Sequence, residues 1–349
     1  MKKYRNLSID TFKTIAIYAV VCLHVPNFWK NMLVCYFFEN LCRFAVPFFF
    51  ITSGFWFSRS LLKGTSVNAL LYSYLKRLFT IFIFWSLLYG ILSRAIINNI
   101  VKFDIGGLLY SLSNNILAIL KDAQAHPVLF FVRGGCEHLW FLPALMMGLA
   151  IVGILIKFKK QRWIMPIAIS LFVFGLLGKA YAHTPIGIHL PVNFNTRNGP
   201  FFSTLFVSLG WWFSICKIRP SALWSAVLII FGMTLTFIEV TFLWKSFNMI
   251  PDLMDYVLGT VPYGAGVFLF AVSRSQVKNS TILSRIGRYS LGIYVIHEMV
   301  IYLKPVNKIV TMLFTPDLIP IVFPLFVFLI SFAIVWILSQ FSLTKKLVA

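Results

Sequence analysis

Lys13 and His24 are the first residues whose types and spacing could do chemistry, eleven positions apart in one apolar run. On a helix, eleven steps end about 20° beyond three full turns, so both side chains share one face at about 16 Å axial separation. A cation at the cytosolic mouth of a bilayer can hold an anionic donor. An imidazole deeper in can take a proton from a hydroxyl, because it titrates near neutrality. The competing reading is a snorkelling lysine below a hydrogen-bonded packing histidine.

Other costly groups recur along the chain, and an ionisable side chain inside lipid is a functional hypothesis by default. Arg43 lies near mid-depth of the second apolar run and needs a carboxylate, a carbonyl or an anionic ligand. Glu39, one turn away on the same face, is its nearest partner. The following stretch, Pro47 to Gly54, contains Ser53. Pro47 frees a backbone carbonyl and Gly54 permits close approach, which also describes an ordinary kinked helix. Lys76 and Arg77 open the third run, where adjacent bases suit phosphates and equally suit anionic headgroups. Glu137, His138 and Trp140 open the fourth run. There a carboxylate is a normal cap feature and tryptophan a normal interfacial residue. Arg197 and Asn198 open the sixth, and His297 with Glu298 sits deep in the ninth. A second intramembrane histidine argues for a polar cavity.

The elements that must position these groups follow from composition. Of the 349 residues, 59% are hydrophobic and only 12% charged, and mean hydropathy is +0.86. That is more apolar surface than one soluble core buries. The expected fold is an all-α polytopic membrane bundle forming one domain over residues 1–349. A span needs about 20 apolar residues. Ten are expected, at 9–29, 33–57, 70–93, 138–156, 163–180, 199–216, 221–243, 254–273, 287–303 and 318–340. The net charge of +21 would suggest nucleic acid in a soluble protein. Here the bases cluster between apolar runs, with 20 of the 31 falling on one side, so they read as topology signals placing both termini in the cytoplasm. The first run reads as a retained helix rather than a cleaved signal. A stretch near 105–120 reads as amphipathic and surface-lying, and 180–198 as a loop. The five cysteines show no metal-ligand spacing, so no metal is expected.

Five segments together resemble the acyltransferase type 3 family. They are Ile9-Asp10-Thr-Phe-Lys13 through His24, and Arg43 with Val46-Pro47-Phe-Phe-Phe-Ile-Thr-Ser53-Gly54-Phe55. Next come His138-Leu-Trp140-Phe-Leu142 and Thr196-Arg197-Asn198-Gly199. The last is Ile286-Gly287-Arg288-Tyr-Ser290-Leu-Gly-Ile-Tyr294-Val-Ile-His297. They occur in order from residue 9 to 297 and are most similar to short single-domain members that O-acetylate bacterial envelope glycans. The family often has two bases three apart where the third span begins; here position 74 is Tyr and the bases are adjacent.

The resemblance implies transfer from cytosolic acyl-CoA, acetyl-CoA by family default, to a carbohydrate hydroxyl or lipid-linked glycan at the bacterial inner membrane. It implies His24 as catalytic base, and Lys13, Arg77 and Lys76 on the CoA phosphates. Arg43 and Arg197 would stabilise an oxyanion or orient the acceptor, and Ser53 would donate a hydrogen bond. Glu137, His138, Trp140, Asn198 and His297 fall to the acceptor side. Two other classes fit ten spans with buried charges: a transporter of a glycan or small anion, and a non-catalytic partner of a polysaccharide synthase.

Overall fold

The computed structural model describes residues 6–25, 32–91, 104–191, 194–249, 254–274 and 279–348. Among them every regular element is helical. Helix α1 (Leu7–His24) starts on Asn6, whose side chain accepts from the amides of Ser8 and Ile9 at 3.1 Å. That cap satisfies donors the helix itself leaves open. No glycine or proline interrupts α1.

The second apolar run folds as two helices, α2 (Met32–Cys42) and α3 (Ala45–Leu62). The break falls at Arg43–Phe44 rather than at Pro47. A proline has no amide for the carbonyl four residues back, and its ring crowds that carbonyl. For Pro47 that partner is Arg43, so the helix restarts just after it and Pro47 sits harmlessly in the first turn of α3. The fold uses this break to set Arg43 at a helix junction.

The remaining elements are α4 (Val67–Ile91), α5 (Ile105–Ala125), α6 (Pro127–Arg133), α7 (Phe141–Lys157) and α8 (Ile164–Leu177). After them come α9 (Pro200–Ile215), α10 (Ala222–Phe247), α11 (Thr260–Ser273), α12 (Ile282–Ile286), α13 (Ser290–Ile301), α14 (Lys304–Leu313), α15 (Ile319–Leu338) and α16 (Ser342–Val348). Short 3-10 turns precede α7 (Glu137–Trp140), α9 (Thr196–Asn198) and α13 (Gly287–Tyr289).

Each of the ten apolar runs therefore holds helix. Six stretches are long and apolar enough to cross a membrane: Leu7–His24, Val34–Leu62, Val67–Ile91, Glu137–Lys157, Ala222–Phe247 and Ile319–Leu338. Gln161–Leu177, Pro200–Ile215 and Thr260–Ser273 are apolar but shorter. The ninth run yields only the 12 residues of α13, about 18 Å of helix. The amphipathic stretch is helical as α5, with no buried residue.

Helix α1 is central and touches α2, α3, α11, α12, α13 and α15. The tightest seam is α3 on α9. A Cβ on Gly54 would lie 2.0 Å from the Val207 carbonyl oxygen, and one on Gly210 would lie 2.0 Å from that of Ile51. Two bare backbones thus meet face to face, the way small residues let membrane helices approach.

Candidate active site

The alternating helices leave a cavity of about 950 Å³ beside α1. One end gathers the start of α1, the end of α3, the start of α4 and the turn before α13. Their lining side chains are Lys13, Arg59, Lys63, Arg77 and Arg288, with the carboxylate of Asp10. Lys13 Nζ contacts Asp10 Oδ1 at 3.2 Å. The opposite end gathers the end of α1, the α2–α3 junction and the segments entering α7, α9 and α11. It presents His24, Glu39, Arg43, His138, Trp140, Arg197 and Asp255. Between the ends the wall is largely apolar, with Val20, Val46, Phe49, Leu78, Leu145 and Leu291.

Lys13 and His24 both line this cavity, as their shared helix face requires. The His24 Nδ1 lies 2.8 Å from the carbonyl oxygen of Val20, one turn back on α1. A carbonyl oxygen only accepts, so Nδ1 holds the proton and Nε2 is left as the basic nitrogen. The His24 ring meets the His297 ring edge to face at a centroid distance of 4.9 Å and the His138 ring at 6.3 Å. His138 and His297 are themselves 5.2 Å apart.

Both other histidines are buried. His297 Nδ1 donates to the Tyr294 carbonyl at 2.6 Å, and the Tyr294 hydroxyl donates to the backbone carbonyl of His138. Neither ring nitrogen of His138 has a hydrogen-bond partner among the described residues, nor does His297 Nε2. Gly134, at φ +74°, turns the chain toward His138 where a Cβ would lie 2.7 Å from Ser86 Oγ. Only glycine adopts this backbone at no cost.

Ion pairs organise the end opposite Lys13. Arg43 contacts Glu39 at 3.5 Å, the partner expected from spacing. Arg197 is engaged on three sides: an ion pair to Asp255, a hydrogen bond from Nε to Asn198 Oδ1 at 3.3 Å, and its guanidinium 4.6 Å over the Trp140 ring. Lys179 Nζ meets the other oxygen of Asp255 at 2.9 Å. Burial alone would raise the Asp255 carboxyl, but Arg197, Lys179 and Arg43 outweigh it and hold it well below the usual carboxylate range.

Of the residues expected from sequence, Lys13, His24, Arg43, Ser53, Arg77, His138, Trp140 and Arg197 line the one cavity. Four do not. Lys76 is exposed, with Nζ 5.6 Å over the Tyr72 ring, and Tyr74 faces the cavity instead. Asn198 is buried behind Arg197, His297 is buried behind His24, and Glu137 is exposed and off the cavity. Ser53 lines the wall, but its hydroxyl donates back to the Phe49 carbonyl at 2.8 Å, leaving only its lone pairs for a ligand.

Sequence reasoning missed Arg59, Lys63, Arg288, Lys179 and Asp255 as members of the site. Trp56, Arg59, Ser60 and Lys63 all line the cavity at the i, i+3, i+4, i+7 spacing of one helix face, a signal that was available. Lys179 and Asp255 had no local signal, because their partners lie on other elements. Glu239, an expensive group at sequence level, is structural: it accepts from the amides of Leu258 and Gly259 at 2.9 and 3.0 Å and from the Tyr181 hydroxyl at 2.8 Å.

The family model of the type 3 acyltransferase domain matches residues 6–340. The chain belongs to the acyltransferase type 3 family. It is also similar to a serine/alanine racemase of Enterococcus gallinarum, 29% identical over 59% of this chain and 29% of that protein. An amino-acid racemase of Enterococcus faecalis is 30% identical over 65% of this chain and 31% of its own length. A second amino-acid racemase of that organism is 26% identical over 86% and 41%. The chain thus spans about a third of the length of the curated relatives it matches. No solved structure matches. Family membership and the six long apolar helices make the chain a membrane protein of this family.

Proposed function

We propose that the chain is an O-acyltransferase of the bacterial inner membrane. It takes an acyl group, acetyl by preference, from cytosolic acyl-CoA and passes it to a hydroxyl of a cell-surface or exopolysaccharide glycan. In this reading the chain crosses the membrane ten times, with both termini in the cytoplasm. The supporting observation is that one cavity holds five bases, His24 and the ion-paired end.

The bases Lys13, Arg59, Lys63, Arg77 and Arg288 hold the phosphates of the donor, and the apolar wall takes its thioester arm. At the far end, Asp255 with Arg197 and Lys179, and Glu39 with Arg43, offer ion-paired sets of donors and acceptors of low net charge. Such sets suit the hydroxyls of a sugar better than a polyanion. His24 Nε2 takes the proton of the acceptor hydroxyl as its oxygen attacks the thioester carbonyl. The carbon–sulfur bond then breaks and the proton passes to the leaving sulfur. Arg43 or Arg197 stabilises the charge on the carbonyl oxygen in between.

The test is O-acetyl content of envelope glycans, by mass spectrometry, in cells carrying His24→Ala, together with thiol release from acetyl-CoA by the purified protein. Loss of a general base costs about 10²–10⁴-fold in rate. Unchanged O-acetylation in the mutant would refute the base assignment.

A second reading is a multi-pass transporter. What favours it is the naming of the relatives as amino-acid racemases, since paired acids and bases also suit a zwitterion. Uptake of labelled serine into vesicles without acetyl-CoA is its signature, and acetyl transfer without such uptake excludes it.

A further inference from the structure

Behind His24, on the side away from the cavity wall, stands a carboxylate that the transfer chemistry above does not use. Glu298 follows His297 on α13, and its side chain is 12% exposed. Its Oε2 lies 4.0 Å from His297 Nε2, and neither atom has a hydrogen-bond partner among the described residues. His297 in turn stacks edge to face on His24. The order is therefore carboxylate, imidazole, catalytic imidazole, with the fully buried His297 ring in the middle.

The groups facing this pair from the packed elements are His24 of α1, Tyr89 of α4, Cys136, His138 of the turn before α7, and Tyr294 of α13 itself. Tyr89 donates its hydroxyl to the Val295 carbonyl and accepts the Met299 amide, which fixes the turn of α13 that bears Glu298. Burial and then the Glu298 carboxylate push the Cys136 thiol up to about 11. None of these neighbours is a lysine or arginine. Among these neighbours only the imidazoles can take up a positive charge.

We propose that Glu298, through the intervening ring of His297, is the counter-charge for the imidazolium that His24 becomes during acyl transfer. When the acceptor's O–H bond breaks and His24 Nε2 gains the proton, a positive charge appears in a wall where His138 and His297 are buried. A carboxylate behind the second ring lowers the energy of that charge, and it does so without touching donor or acceptor. Glu298 and His297 are positioning residues in this scheme rather than catalytic ones. The inference rests on the reading of His24 as base.

The experiment uses the full chain in phospholipid vesicles, acetyl-CoA as donor and host envelope extract as acceptor, with thiol release followed across pH. Glu298→Gln is expected to lower kcat about tenfold and leave KM for acetyl-CoA unchanged. Removing the negative charge makes His24 harder to protonate, so the acid limb of the pH–rate profile moves about one unit to lower pH. Glu298→Asp retains the charge and is expected to keep the limb near its wild-type position. An unmoved limb in folded Glu298→Gln overturns the proposal, as does a KM that rises in step with the loss of kcat. Should Glu298→Gln not fold, Glu298→Met, which also removes the charge, serves instead: a limb shifted acidward supports the proposal and an unmoved one overturns it. The two readings fail separately. Transfer that survives His24→Ala removes the base itself; transfer lost in His24→Ala with an unmoved limb in Glu298→Gln removes only the counter-charge.

Discussion

The two ends of the cavity spend charge in opposite ways. At the Lys13 end five bases face one lining carboxylate, Asp10. At the Arg197 end the charges are nearly matched and each is paired: two carboxylates meet three bases, Glu39 with Arg43, and Asp255 between Arg197 and Lys179. An excess of one sign raises the local concentration of an oppositely charged ligand and answers to salt. A matched network instead fixes geometry and recognises through hydrogen bonds. The first end is built to attract, the second to orient.

Charge reversal at the attracting end is the strongest way to break this contrast. Arg77→Glu is expected to raise KM for acyl-CoA by about tenfold or more while the acceptor KM holds, read from initial rates at low ionic strength. Raising salt should weaken donor binding in the wild type and do so less in the variant. Equal salt dependence in both would place the donor elsewhere.

At the orienting end Asp255→Asn leaves Arg197 and Lys179 without their shared carboxylate. The expected outcome is an acceptor KM raised about fivefold and a thermal midpoint lowered by about 5 °C, with donor KM unmoved. Because the Asp255 carboxyl is held below its ordinary range, it contributes stability at every pH above the unfolded carboxylate value. That contribution is lost only as pH falls through the lowered value, in strong acid. Melting curves of wild type and variant should therefore converge there, and a gap that persists would remove the ion pair as the cause.

The smallest effect sharpens the boundary of the attracting end. Lys76 lies off the cavity beside Tyr72, so Lys76→Ala should change donor KM by less than about twofold. A larger change would return Lys76 to the donor site.

Much of the fold was legible because apolar run length is a local property, and each of the ten runs does contain helix. The break at Arg43 was half legible: Pro47 announces a disruption, but its effect falls on the carbonyl four residues earlier, where the chain had been read as continuous. The basic end was legible wherever bases repeat on a helix face, as at Arg59 and Lys63. The Lys179–Asp255–Arg197 cluster was not. Its members join segments 18 and 58 positions apart, and only the packing of α8, α9 and α11 brings them together. The same holds for His297, whose sequence motif suggested a ligand contact while the fold places it behind another ring.

Helix α1 carries Lys13 at one end of the cavity and His24 at the other, with neither glycine nor proline between them. The helix is a stiff lever with a functional group at each tip. Whatever tugs on Lys13 is delivered to His24 as a shift of the whole rod, because no joint lies between them to absorb it. The Nδ1 proton, clamped by the helix's own Val20 carbonyl, travels with the rod. Under the proposed function, a donor held by Lys13 would thereby act on the base with no messenger beyond the backbone itself.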